Sequence, residues 1–149
     1  MEKAFDRVSY SFLMDAMKTL GFGPKFLRGV GSMYNTEAPP KRRVYANGYY
    51  SDWFEIKSGV AQGCPLSPLL FLVVAEGLRI SLDMEEKFVG VKIGNKIYIL
   101  SQFADDTTLM MGSIRELEHA ERGILRWCEA TGMKENKSKR EGLAMGQYR

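Results

Sequence analysis

The chain reads as an α+β protein with an antiparallel sheet packed on helices. Three observations predict it. Several stretches repeat apolar residues at the helical spacing, short alternating runs bounded by turn residues read as strands, and those strands are joined by hairpins rather than by regular βαβ crossovers. The 149 residues hold one ordinary domain, and neither an internal repeat nor a low-complexity linker suggests a second. A hydrophobic fraction of 45% with 26% charged residues excludes wholesale disorder.

Ser9–Leu20 predicts a helix, with Phe12, Leu13, Ala16, Met17 and Leu20 on one stripe and Gly21 as its stop. Pro24 suits the first turn of a second helix carrying Phe26, Leu27, Val30, Met33 and Tyr34, ended by Pro39-Pro40. Arg42–Ala46 and Tyr49–Lys57 then form a strand pair about Asn47-Gly48, a strong hairpin signal. Ser58–Ser67 is a loop punctuated by glycine and proline, and Pro68–Asp83 an apolar helix. Val89–Ile93 and Lys96–Phe103 read as strands around Gly94-Asn95, with Thr107–Met111 as a third after Asp105-Asp106. Ser113 and Glu116 have the spacing of a capping box, opening a helix with Ile114, Leu117, Ala120, Ile124 and Cys128 on one side and Gly132 as its end. Gly142–Met145 predicts a last short strand.

Composition narrows the function classes. The longest uninterrupted apolar stretch, Leu69–Ala75, falls far short of the ~20 residues that span a bilayer, so no membrane partner is expected. Met1–Asp6 lacks the apolar core of a secretory signal, and Cys64 and Cys128 read as free thiols in a reducing, intracellular compartment. A site built on His and Cys is disfavoured because His119 is the one histidine. The net charge is +3, and the segment 133–149 alone carries that excess through Lys134, Lys137, Lys139, Arg140 and Arg149 against Glu135 and Glu141. Such an end permits phosphate contact, and equally reads as a solvated tail.

Two segments could carry chemistry. In Phe103-Ala104-Asp105-Asp106, Asp105 can present a hard oxygen ligand to Mg²⁺, although acidic turns are also common as plain solvated turns. The loop Gly59-Val60-Ala61-Gln62-Gly63-Cys64-Pro65-Leu66-Ser67-Pro68 combines glycines that allow close backbone approach with a Gln62 able to donate and accept. It suits contact with a base or sugar, and also a plain strand-to-helix connection. The hairpin flank Lys41-Arg42-Arg43 reads as structural.

Together, Lys3-Ala4-Phe5-Asp6-Arg7-Val8, Gly59–Phe71, Phe103–Asp106 and Gly132–Lys139 occur in the order and approximate spacing of reverse-transcriptase motifs A, B, C and D. The chain resembles the palm of a non-LTR, LINE-type retrotransposon polymerase over nearly its whole length, as a partial domain of residues 1–149. The resemblance implies RNA-directed DNA synthesis by two-metal nucleotidyl transfer in the intact parent, with an RNA template, a DNA primer and a deoxynucleoside triphosphate as partners. It implies Asp105 as a Mg²⁺ ligand, Asp106 as a weaker metal ligand, and Lys139 acting on the departing pyrophosphate. Phe5 would abut the incoming sugar, and Gln62 with Gly59 and Gly63 would line the nascent base pair. Nuclear action follows by resemblance to elements that prime on chromosomal DNA, although no targeting signal is seen; oligomeric state stays open.

The resemblance has departures. Motif A reads Asp-x-x-Lys-Ala-Phe-Asp, which places its first aspartate, a metal ligand, one position before Met1. The strand carrying it, the fingers and the thumb are expected to be absent, and the isolated chain to be inactive. Glu2, on the same face of such a strand, is a weak substitute, as is Asp6. Ala61 stands where arginine is frequent, Glu135 where an apolar residue is usual, and Arg140 where threonine is common. The competing expectation is a non-catalytic palm remnant that binds nucleic acid or a partner. A third, an unrelated Mg²⁺-dependent phosphohydrolase using Asp105, leaves Gly59–Phe71 unexplained.

Overall fold

A computed structural model describes residues 1–103 and 105–146; Ala104 and Arg149 of the motifs above lie outside the described residues. The helices are α1 (Tyr10–Thr19), α2 (Pro24–Met33), α3 (Ser67–Asp83) and α4 (Leu117–Thr131). α3 is the spine: Leu70, Val74, Leu78 and Leu82 recur every four residues and are buried, and both α1 and α4 pack against it. Two glycines let the helices close. A Cβ on Gly77 would meet the Phe12 ring at 3.0 Å, and one on Gly123 the Leu82 side chain at 2.9 Å. The fully buried Trp127 donates its indole N–H to the Val74 carbonyl at 2.9 Å, so the largest core side chain is anchored as well as packed.

The α1 boundary follows its cap, the Ser9 hydroxyl accepting the Phe12 N–H. α2 starts at Pro24 as expected but ends at Met33, well before the proline pair, where Tyr34 leaves the helical conformation and its ring packs on Tyr10. α4 keeps much of the expected stripe, with Ala120 buried and Ile124 and Cys128 packed against the core. Ala120, Gly123, Trp127 and Thr131 are its buried line, whereas Ile114 is 79% exposed. Ile114 falls in the 3₁₀ turn that precedes the helix, Ile114–Glu116, and so lies off the core face.

The strands form four separate two-stranded antiparallel ladders rather than one sheet, which corrects the expected single sheet while leaving the α+β class in place. They are β1 (Lys41–Arg42) with β4 (Phe54–Glu55), β2 (Tyr45–Ala46) with β3 (Tyr49–Tyr50), β5 (Val91–Ile93) with β6 (Lys96–Tyr98), and β7 (Leu100–Phe103) with β8 (Asp106–Leu109). The first hairpin turns at Asn47 and Gly48, both at positive φ, as a primed two-residue turn requires. Its register pairs Tyr45 with Tyr50 but Arg42 with Phe54, so Arg43-Val44 oppose three residues, Ser51–Trp53, in a bulge.

The expected strand Lys96–Phe103 breaks at Ile99, whose carbonyl accepts the Met110 N–H instead of continuing one ladder. The capping box at Ser113 and Glu116 does not form. The Glu116 carboxylate instead accepts the N–H groups of Val89, Gly90 and Gly112 at 2.9–3.1 Å. Val89 and Gly90 thereby spend their donors on a carboxylate, and β5 begins only at Val91. No strand forms at Gly142–Met145, where Leu143 and Met145 are exposed and no ladder partner lies among the described residues. No helix is long and apolar enough to cross a membrane among the described residues.

Candidate active site

The motif A segment is a 3₁₀ turn, Ala4–Asp6, rather than an extended strand. Glu2 therefore faces Arg7 and Lys134, at 3.7 and 3.9 Å, and the period-of-two argument that aimed it at a metal does not hold. The motif B loop closes over this turn. Gly59 N–H donates to the Val8 carbonyl at 2.9 Å, Val60 N–H to the Phe5 carbonyl at 2.7 Å, and the Ser58 hydroxyl to the Asp6 carbonyl at 3.0 Å. Gly59 must be glycine here: its φ is +92°, and a Cβ would stand 2.8 Å from backbone atoms of Asp6. Gly63 also has positive φ, but open space surrounds it.

Gln62 donates its amide to the Asp6 carboxylate at 3.2 Å, so Asp6 is committed within the loop contact. The Phe5 ring stacks on Phe71 of α3, centroids 5.0 Å apart. Further along the loop, the Ser67 hydroxyl donates to the Ala61 carbonyl at 2.6 Å, and Ala61 N–H reaches the Tyr34 hydroxyl. The Leu66 N–H beside Cys64 lowers the pKa of that thiol, while burial raises that of Cys128.

Asp105 occupies the turn between β7 and β8, and Asp106 opens β8 opposite Phe103. Both carboxylates are exposed, and the Phe103 ring beside them is 85% exposed. The motif A start reaches this turn directly, the Met1 ammonium donating to the Asp105 carbonyl at 2.7 Å. Motifs A, B and C are thus linked by hydrogen bonds across more than a hundred residues of sequence.

Motif D joins at its near end, where Glu2 N–H donates to the Lys134 carbonyl at 2.8 Å. Lys139 lies at the end of an exposed 3₁₀ turn, Lys137–Lys139; among the described residues no hydrogen bond or ion pair ties its side chain to the Asp105 turn. The structure therefore brings together Phe5, Gly59 and Gln62, and connects them to Asp105 through Met1, but leaves Lys139 apart. The two odd motif D residues explain one another. Arg140 forks onto both oxygens of the half-buried Glu135 at 2.9 Å and also reaches Glu121 of α4. These contacts raise the Arg140 pKa, so it stays a cation throughout the accessible range.

Several positioning residues escaped the sequence reading. Phe71 sits in an apolar helical run where nothing marks a ring partner for Phe5, and Ser58 and Ser67 act through single backbone carbonyls with no motif of their own. Glu116 carried a signal, but it pointed to a cap.

The family model for reverse transcriptase (RNA-dependent DNA polymerase) matches residues 1–147. The chain belongs to the reverse transcriptase family. Its relatives include the transposon TX1 uncharacterized 149 kDa protein of Xenopus laevis, 30% identical over 99% of this chain and 11% of the relative. The Pol polyprotein of the type-2 retrotransposable element R2DM of Drosophila melanogaster is 32% identical over 93% of this chain and 13% of its own length. A Pol polyprotein of the type-1 element R2 of Popillia japonica is 32% identical over 74% of this chain and 18% of its own. The chain is similar to all three and spans less than a fifth of each. The chain is of retrotransposon kinship, as its motifs implied, and its family is one of divalent-metal polymerases. Asp105 and Asp106 fit that chemistry as hard, exposed oxygen donors. Among the described residues, no cluster of three or more His, Cys, Asp or Glu side chains is poised around a single point.

Proposed function

We propose that these residues form the palm of a retrotransposon RNA-directed DNA polymerase and carry part of its nucleotidyl-transfer site. The observation that supports this best is the hydrogen-bonded convergence of the Ala4–Asp6 turn with the Gly59–Gln62 loop and, through Met1, with the Asp105 turn. In this reading Asp105 binds metal and Asp106 supports it. Mg²⁺, when bound, supplies the positive charge that favours an ionised primer hydroxyl and a departing pyrophosphate.

Phe5, its ring backed by Phe71 and its carbonyl held by Val60, bounds the sugar of the incoming nucleotide. A firmly backed ring can exclude a 2′-hydroxyl, which a freely rotating one cannot. Gln62 and the glycines Gly59 and Gly63 lie along the nascent base pair. Lys139 acts on the pyrophosphate; its exposed turn would have to approach once a nucleotide is present. RNA template, DNA primer and nuclear action belong to the parent polymerase.

Titration with Mn²⁺ as a paramagnetic stand-in for Mg²⁺ tests the assignment. NMR resonances of Asp105, Asp106 and Thr107 should broaden first, and Asp105→Asn should remove the effect. Broadening unrelated to the turn, or unchanged by Asp105→Asn, would favour a non-catalytic module instead.

A further inference from the structure

The hairpin built from β1, β2, β3 and β4 read as merely structural in the sequence, yet it buries none of its strand residues. Tyr45 and Tyr50 face one another across the β2–β3 ladder with ring centroids 4.6 Å apart. The Arg43 guanidinium lies 3.7 Å from the Tyr50 centroid and 4.9 Å from that of Trp53. The bulge at Ser51–Trp53 brings Trp53 into that series. Tyr45, Tyr50, Arg43 and Trp53 thus form one continuous array of flat groups, and its three rings are 59–62% exposed. Rings held in order by one another and by Arg43, yet left open to solvent over more than half of their surface, mark an interaction surface.

Charge identifies the occupant. Lys41 and Arg42 flank Arg43, and among the described residues none of the three is in an ion pair. The carboxylate opposite Lys41, Glu55, lies 3.9 Å from Lys57. A protein partner with an apolar face would desolvate three unpaired cations, a costly arrangement. A polyanion pairs with them. Duplex bases are already stacked on their neighbours, so open aromatic faces suit splayed bases.

We propose that this hairpin is a platform for single-stranded nucleic acid, with bases stacking on Tyr45, Tyr50 and Trp53 and phosphates meeting Lys41, Arg42 and Arg43. The chain continues from β4 through Ser58 into the Gly59 loop, so the platform is joined covalently to the candidate active site while using none of its residues. The proposal goes beyond the polymerase reading and does not require Asp105.

The test uses the 149-residue chain with fluorescein-labelled 12-mers of oligo(U), oligo(dT) and a duplex, read by anisotropy and by tryptophan fluorescence. Trp127 is 2% exposed and Trp53 62%, so quenching on binding reports Trp53. Single strands should bind at least ~10-fold more tightly than duplex, and Trp53→Ala should weaken them by ~10-fold, a mid-range loss for one stacked base, while abolishing the quench. Arg42→Ala should lower the slope of log affinity against log salt by about 0.7. Tyr50→Phe, which keeps the ring, should bind like the unaltered chain, and Tyr50→Ala should not. These residues support no core packing, so thermal unfolding of each variant should match the parent chain. The two oligonucleotides distinguish RNA from DNA as the preferred strand.

The proposal is overturned if the single strands fail to bind, if Trp53→Ala and Tyr50→Ala both bind as the unaltered chain does, or if duplex binds equally well. It is also overturned if Trp53→Ala converts a dimer to a monomer with oligonucleotide affinity unchanged, which assigns the rings to a second copy of this chain. None of these outcomes bears on the Mn²⁺ titration at Asp105, so the polymerase reading fails or stands separately.

Discussion

Replacing Gly59 with alanine probes the contact that joins the motif B loop to the motif A turn. A Cβ at this position would lie 2.8 Å from the Cα and carbonyl oxygen of Asp6, atoms of a backbone turn that cannot swing aside as a side-chain tip can. The φ of +92° adds a conformational cost of about 1–2 kcal/mol for any residue with a Cβ. Relief of the clash must separate the segments and stretch the hydrogen bonds from Gly59 to Val8 and from Val60 to Phe5, each worth about 1 kcal/mol. Gly59→Ala should therefore cost about 3–4 kcal/mol, or roughly 6–16 °C in Tm for a domain of this size.

Gly63→Ala is the matched control. Its φ of +82° imposes a similar conformational cost, but nothing lies within 4 Å of the added Cβ. It should lose only about 2–8 °C. Thermal unfolding followed by far-UV circular dichroism separates the two substitutions. Equal losses at both positions would show that the close approach to Asp6 contributes nothing, and the account of how motifs A and B are held together would fail.

Glu116→Ala should be among the more damaging single changes outside the core, at about 3 kcal/mol in urea unfolding, since it strips acceptors from the N–H groups of Val89, Gly90 and Gly112; Glu116→Gln should cost less. Glu85 gives a pH signature. Burial raises its pKa, but hydrogen bonds from Arg126 and Arg122 outweigh this and leave it below the ordinary carboxylate value. A depressed folded-state pKa stabilises above the unfolded-state value, so this contribution should vanish as pH falls below about 4.5 toward the folded value, and Glu85→Gln should flatten that part of a Tm-against-pH curve. Iodoacetamide near pH 8 should label Cys64 well before Cys128, as peptide mass spectrometry can read, because Cys64 is lowered by the Leu66 N–H and Cys128 is raised by burial.

The sequence was most informative where a single local signal decided the outcome. Ser9 capped α1, Pro24 opened α2, Asn47-Gly48 turned the hairpin, and Gly132 in the left-handed conformation ended α4. It misled where long-range partners competed with a local pattern. Glu116 had the spacing of a cap but found three backbone donors brought near by the 89–90 segment. Gly123 and Trp127, outside the aliphatic stripe, complete the buried face of α4, the indole donating to the Val74 carbonyl. For the site, motif order brought out the Phe5, Gln62 and Asp105 segments, whereas the stacking partner Phe71 and the Arg43 array over Tyr50 and Trp53 depend on tertiary placement that no spacing rule encodes.

The fork between Arg140 and Glu135 bears on the path by which this sequence was reached. Taken singly, each residue is a departure from the motif D pattern; joined, they are one energetic unit. The two substitutions are not interchangeable in order. Glutamate arriving first would have placed a half-buried carboxylate with no guanidinium beside it, whereas arginine arriving first would already have found Glu121 on α4. The arginine-first order passes through the better-tolerated intermediate, and loss of Glu135 alone would only return to it, whereas loss of Arg140 alone would leave the half-buried Glu135 carboxylate without its guanidinium.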